Sequence, residues 1–278
     1  MTSTQSKPKI TVITVCYNAA DVIEPTILSV IGQDYGDVEY IVIDGASTDG
    51  TVDIISRYAG YLSRWISEPD KGIYHAMNKG ISIATGDYIL FMNAGDRFFS
   101  HSALSRFFSS AADYQGVDVL YGDTLCSVGN RFYKRRPSHT GTHIPTCHQS
   151  IFVAARRLKE MPFDLSYRIL ADRHQFRQLR QSGITFAYVP EFVSIYDTTG
   201  ISNVHNRRFH SELCRLDGKI SSLPSFLRFR LKKLIVNVRD STYGFLIRSF
   251  PRLSRRLFPT YTANYFEYTH TYPLSHFR

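Results

Sequence analysis

Cysteine is scarce in this sequence, and nothing in its placement gives it structural work. The four cysteines among 278 residues, Cys16, Cys126, Cys147 and Cys214, are scattered without a C-x-x-C pair. That spacing excludes a zinc ribbon and a disulfide framework and predicts reduced, mostly buried thiols. Long apolar runs are also missing, and the N-terminal MTSTQSKPK has no hydrophobic signal core, so the protein is expected to stay in the cytoplasm. Neither G-x-G-x-x-G nor G-x-x-x-x-G-K-[ST] occurs, which removes the dinucleotide fingerprint and the P-loop as phosphate-binding devices. There is no internal repeat and no low-complexity stretch.

Net charge is nearly absent from most of the chain. Of the formal +9, almost all lies beyond Ser222, where ten Lys or Arg face only Asp240 and Glu267. What is present is the composition of a folded protein, 43% hydrophobic and 21% charged, long enough for one large domain or a domain with an appendage.

The first hundred residues alternate strand and helix patterns. KITVITVCY (9–17), VEYIVID (38–44), SRWIS (63–67) and DYILFMN (87–93) read as strands, and 20–33, a segment from Thr51, and 73–84 read as helices. A β-α-β-α-β-α-β order predicts a parallel sheet covered by helices. After Arg97 the pattern becomes antiparallel: strands over 117–128 and 131–135 about a Gly129-Asn130 turn, a strand over 148–154, a helix over 171–181 and a strand over 184–196. Residues from about 205 are helical, basic and apolar.

Three loops that follow these strands carry the chemistry. YIVIDGASTDGT (40–51) ends a buried strand in carboxylates, glycines and hydroxyls. In an open α/β sheet ligands sit beyond the carboxyl ends of the strands, so Asp44 is placed to accept hydrogen bonds from a nucleobase or ribose, whereas Asp49 or Ser47 can cap the next helix. A calcium loop is excluded, because Ala46, Thr48 and Ile55 occupy three of its ligand positions. Strand four ends in NAGD, placing Asn93 and Asp96 at the same sheet edge, where oxygen ligands beside a diphosphate suit Mg²⁺ or Mn²⁺. His139, His143 and His148 lack a zinc ligand pattern.

With TVITVCYNA, VIDGASTDGT, SEPDKGIYHAMNKGISIATGDYI and FMNAGD in chain order, residues 9 to about 200 resemble the family 2 glycosyltransferases of the GT-A fold, in particular those of bacterial polysaccharide biosynthesis. The resemblance implies an α/β nucleotide-sugar-binding sheet with an antiparallel acceptor-side portion, in which Thr14 and Tyr17 line the nucleoside pocket, Asp44 holds the base, Asp70 lies near the nucleotide and Asp96 binds the metal. Asn93 stands where many members have a first aspartate, which brings one negative charge fewer to a metal. RILADRHQF (168–176) resembles the family's base segment, with Asp172 as general base and Ala171 in place of the usual acidic neighbour; a first-turn helix carboxylate is the plainer role. CHQSIF (147–152) resembles a segment near acceptor and diphosphate, which makes His148 and Gln149 contact candidates.

The implied domains are a GT-A domain over 1–204, with a nucleotide half at 9–97 and an acceptor half at 98–204, and a basic helical extension over 205–278. The implied activity is metal-dependent, inverting transfer of a sugar from a nucleotide-diphosphate donor, UDP favoured, to a polyprenyl-linked saccharide. The extension places Leu227, Leu231, Leu234, Ile235 and Val238 on one face between basic residues, a pattern that predicts contact with an anionic inner membrane surface rather than with nucleic acid. A silent scaffold and a sugar-1-phosphate nucleotidyltransferase are the alternatives; against the second, VCYNAADVIE has no glycine-rich loop.

Overall fold

The structure is a computed structural model, and it describes residues 7–111, 114, 116–128, 131–135, 147–197 and 207–218. The chain divides into two compact units, Met1–Asn130 with Lys134–Asn203, and Arg131–Tyr133 with Val204–Arg278.

In the first unit β1 (Ile10–Cys16) lies between β2 (Val38–Asp44) and β4 (Tyr88–Phe91), parallel to both, and β3 (Arg64–Ser67) extends the sheet beyond β2. All seven residues of β1 are buried, as expected of a strand covered on both faces and written as an unbroken apolar and β-branched run. The connecting helices are α1 (Ile23–Ile31), α2 (Thr51–Arg57) and α3 (Ile73–Ile83). Helix α3 approaches β1 so closely that a Cβ on Gly80 would lie 2.7 Å from Ile13 Cγ2, so glycine is needed for the contact.

Past β4 the sheet reverses. β8 (Ile151–Ala154) runs antiparallel to β4, and β6 (Val119–Val128) runs antiparallel to β8. β9 (Phe186–Asp197) returns parallel to β6, and the two-residue β5 (Arg97–Phe98) closes the far edge antiparallel to β9. The order is therefore β3-β2-β1-β4-β8-β6-β9-β5, and the strand expected over 131–135 is β7 (Arg131–Arg135). The short helices α4 (Ala103–Ser110) and α5 (Ala155–Glu160) and the longer α6 (Ala171–Gln181) complete this unit. Phe107 and Phe108 of α4 pack on Phe152 of β8, with ring centroids at 4.6 and 5.1 Å.

Two boundaries differ from expectation for visible reasons. The first helix starts at Ile23 rather than Ala20, because the amides of Ala19 and Ala20 donate to Thr51 Oγ1 and Asp49 Oδ2 across the loop. Residues His148–Ser150 form a 3₁₀ turn instead of the start of β8, with Ser150 N–H donating to Cys147 O. Elements α4, α5 and β5 have no counterpart in the sequence reading.

The described part of the second unit includes helix α7 (Arg207–Leu216). Gly129-Asn130, His139, His143 and the amphipathic stretch 226–258 lie outside the described residues. Among the described residues no helix is long and apolar enough to cross a membrane.

Candidate active site

The carboxyl ends of the parallel strands lie level with one another: Cys16, Asp44 and Ser67 are register partners on β1, β2 and β3. Asp44 is fully buried there. It accepts hydrogen bonds from Ser47 N–H at 2.9 Å, the Ser47 hydroxyl, the Ser67 hydroxyl at 2.7 Å and, more weakly, the Cys16 thiol at 3.5 Å. Four donors fill the four lone-pair sites of a carboxylate. Burial alone would raise its pKa, yet the Ser47 and Ser67 hydrogen bonds hold it below the usual value. In the same place, burial and the neighbouring Asp44 push the Cys16 thiol well above its ordinary range, so it is inert.

The rest of the loop after Asp44 knits two connections together. Asn18 N–H donates to Ser47 Oγ at 2.7 Å, Thr48 N–H donates to Asn18 Oδ1 at 3.0 Å, and Thr51 gives both its amide and its hydroxyl to Asp49 Oδ1. The hydroxyls and carboxylates of 44–51 thus fix the shape of the β1–α1 and β2–α2 loops before any ligand arrives.

Asp70 and Tyr17 meet over Gly45. A Cβ at Gly45 would lie 2.7 Å from Asp70 Oδ2 and 3.3 Å from Tyr17 Cδ2, so only glycine leaves the carboxylate room. Asp70 Oδ1 is held by Gly72 N–H at 2.7 Å, and Tyr17 is 66% exposed just past the end of β1. Thr14, expected beside them, is placed differently. It is fully buried, donates its hydroxyl to Met92 O at 2.7 Å and shares a hydrogen bond with Tyr40 at 3.0 Å. Its side chain braces the sheet beneath the edge rather than facing a pocket.

A second group converges past the end of β4. Asp96 is buried; Oδ2 accepts from Gln149 Nε2 at 2.8 Å and Oδ1 from Asp197 N–H at 3.0 Å. Burial dominates over those two hydrogen bonds and pushes its carboxyl up to about 6. Asn93 Nδ2 lies 3.0 Å from His148 Nε2, while Asn93 Oδ1 is buried with no partner among the described residues. On the other side of the ring, His148 Nδ1 is 3.7 Å from Asp172 Oδ2.

Asp172 sits in the first turn of α6, and its Oδ1 accepts from Arg173 N–H at 2.7 Å and from the Tyr74 hydroxyl at 3.2 Å. The helix-start role foreseen for it is therefore present, but occupies one oxygen only. Burial would push the His148 imidazole down and the Asp172 carboxyl up; their mutual attraction prevails and moves each the opposite way.

Five candidates from three distant segments, Asn93, Asp96, His148, Gln149 and Asp172, thus form one cluster, whereas Tyr17, Asp44 and Asp70 gather around Gly45. Asp197, Tyr74 and Arg168 were missed by the sequence reading. Asp197 ends β9 as Asp44 ends β2, a signal available to the same strand-end argument. Arg168, which donates to Lys71 O at 2.7 Å, and Tyr74, which donates to Ile169 O at 2.7 Å, tie the start of α3 to the loop before α6 and have no local signature.

The cluster fits a hard divalent cation. Asp96 is buried and keeps two lone-pair sites beyond the two its donors use, and Asn93 Oδ1 is an orphaned oxygen donor. Among the described residues no three His, Cys, Asp or Glu side chains gather as a ligand set, so such an ion would rely on phosphate oxygens and water, as Mg²⁺ commonly does.

Comparison with known proteins places these features in context. The family model described as glycosyl transferase family 2 matches residues 11–182. A PGL/p-HBAD biosynthesis glycosyltransferase of Mycobacterium tuberculosis is 28% identical, over 84% of this chain and 90% of its own. Among solved structures, S. aureus TarS in complex with UDP is similar with a TM-score of 0.61 and 19% identity, over 75% of this chain and 64% of that one. The mannosyltransferase PcManGT from Pyrobaculum calidifontis, in complex with GDP-Man and Mn²⁺, is similar with a TM-score of 0.56 and 23% identity, over 76% and 61%. The two structures share the GT-A fold with this chain.

Proposed function

Because the chain belongs to glycosyl transferase family 2, we propose that it transfers a sugar, with inversion, from a nucleotide-diphosphate donor to a hydroxyl of a lipid-linked saccharide in cell-surface polysaccharide or glycolipid assembly. The observation that carries this reading is the convergence of Asp172 with Asn93 and Asp96 through His148 and Gln149, which joins a carboxylate able to act as a base to a strand-end site for a diphosphate.

In this reading the nucleoside lies against Tyr17 and Asp70, with Asp44 shaping the loop beneath it. Asp172 takes the proton of the acceptor hydroxyl as that oxygen bonds to the anomeric carbon. The bond from that carbon to the diphosphate oxygen breaks in the same displacement, and its electron pair leaves with the nucleoside diphosphate. Removing a proton in this way contributes about 10²- to 10⁴-fold in rate. A Mg²⁺ or Mn²⁺ ion held by Asp96 and Asn93 would supply Lewis-acid neutralisation of the leaving diphosphate. UDP is favoured as the nucleotide; the TarS complex with UDP and the PcManGT complex with GDP-Man support a nucleotide-sugar donor of one kind or the other.

The domain reading goes with this function: 1–204 as the catalytic domain and 205–278 as a basic extension that docks on an anionic membrane surface and brings the enzyme to its lipid-linked acceptor. The first test is a thermal-shift titration of the full chain with UDP, GDP and dTDP, each with and without Mn²⁺, beside Asp96→Ala. Stabilisation by one nucleotide, larger with Mn²⁺ and with the metal-dependent part lost in Asp96→Ala, is expected. Absence of any shift with all three nucleotides would overturn the donor-site reading and favour a silent scaffold.

A further inference from the structure

His148 was expected to touch acceptor or diphosphate, but its ring is already engaged on both sides. Asn93 Nδ2 faces Nε2 at 3.0 Å, and Asp172 Oδ2 faces Nδ1 at 3.7 Å. Its side chain is only 17% exposed, and that of Asp172 19%.

The protons on this chain of groups follow from what each neighbour can do. With the Asn93 amide nitrogen toward the ring, Nε2 accepts, which leaves the single proton of a neutral ring on Nδ1. Asp172 Oδ2 accepts, so Nδ1–H is also what that side requires. The opposite tautomer would set an N–H against an amide N–H on one side and a lone pair against a carboxylate on the other.

We infer that His148 is a positioning residue, fixed by Asn93 in the tautomer that directs Nδ1–H at Asp172 Oδ2, so that the carboxylate is aimed from both of its oxygens. Oδ1 is tied by Arg173 N–H and the Tyr74 hydroxyl, and the imidazole supplies the only restraint described for Oδ2. This rests on the proposed role of Asp172 as the base. The 3.7 Å separation is longer than a hydrogen bond, and contacts of this kind tighten when substrate closes the site. The inference also gives a reason for asparagine at 93. An aspartate there has no N–H to offer Nε2, and would draw the ring's proton away from Asp172.

The two amide replacements of histidine separate the two ring faces. His148→Asn restores a donor near the Nδ1 position, toward Asp172, and His148→Gln restores a group near the Nε2 position, toward Asn93. Full-length wild type, His148→Asn, His148→Gln and His148→Ala are compared by nucleotide release from UDP-GlcNAc, UDP-glucose and GDP-mannose with Mn²⁺, and by titration with UDP and GDP. The expected result is a kcat about 10²-fold lower in the Gln and Ala variants, substantial recovery in the Asn variant, and unchanged KM and nucleotide affinity throughout, as for loss of aim rather than of binding. Recovery by Gln instead of Asn, or weakened nucleotide binding in all three, would overturn it and return His148 to the diphosphate.

Should wild type release no nucleotide from any donor, the activity reading fails while the tautomer stays measurable. Long-range ¹H–¹⁵N spectra of histidine-labelled protein, with the His148 signals assigned by their loss in His148→Ala, are expected to show the proton on Nδ1 and its transfer from that site in Asn93→Asp. A proton on Nε2 in wild type would overturn the inference irrespective of activity.

Discussion

Ala46 has a φ of 63°, in the left-handed region that a side chain with a Cβ disfavours by about 1–2 kcal/mol. It holds this angle because Asp44 and Ser47 on either side are locked by the Ser47 amide and hydroxyl contacts to the Asp44 carboxylate. The loop is therefore strained at one residue and fully bonded at its neighbours, a pattern typical of binding loops. Ala46→Gly is expected to stabilise the protein by about 0.5–1 kcal/mol once the greater freedom of glycine in the unfolded chain is allowed for; urea denaturation checks this. Asp44 teaches a related lesson: its place at the strand end was legible, but not that serine and cysteine side chains would satisfy it. Ser67 and Cys16 come from β3 and β1, and no spacing along the sequence reports them, whereas Ser47 lies three residues on in the same loop.

Elements were legible where burial wrote them plainly. The strands β1 and β4 are apolar and β-branched runs in a two-sided interior, β2 is such a run broken by Glu39, and their register brings Asp44 and Asn93 to one edge. The helix α4 was not legible, because ALSRFFSS is only eight residues long, so the helical spacing of Leu104, Phe107 and Phe108 runs for barely two turns. The opposite end of the parallel sheet is held by Glu39, which accepts from the Thr11 hydroxyl at 2.6 Å and from the Thr85 amide at 2.7 Å and so clasps β2, β1 and the turn before β4. Burial would raise its pKa, but those hydrogen bonds keep it below the ordinary value. Asp118 is depressed likewise: burial opposes, and Arg157, Thr185 and Arg156 prevail. A carboxylate whose folded pKa lies below its unfolded one contributes stability that is present above the unfolded value and is lost as pH falls through the folded one. The contribution of these two carboxylates should thus be constant near neutrality and decline below about pH 4.3, and Glu39→Gln should flatten part of that decline. Urea midpoints measured from pH 7 to 3 test both, and an unchanged profile in Glu39→Gln would refute the assignment.

At the scale of the whole molecule, the parallel half of the sheet and the placing of its functional loops followed from hydrophobic pattern, while the assembly of the acceptor-side cluster did not. Asn93, His148 and Asp172 are separated by 55 and 24 positions, and only the reversal of the sheet at β8 with the return through α6 brings them together. The central claim is that this cluster performs glycosyl transfer with Asp172 as the base. The most direct test is nucleotide release from UDP-GlcNAc, UDP-glucose and GDP-mannose with Mn²⁺, comparing wild type with Asp172→Asn. The account predicts release from at least one donor by wild type, a fall of about 10²- to 10⁴-fold in the variant, and an undiminished thermal shift with the corresponding nucleotide. Release by Asp172→Asn at the wild-type rate would contradict it.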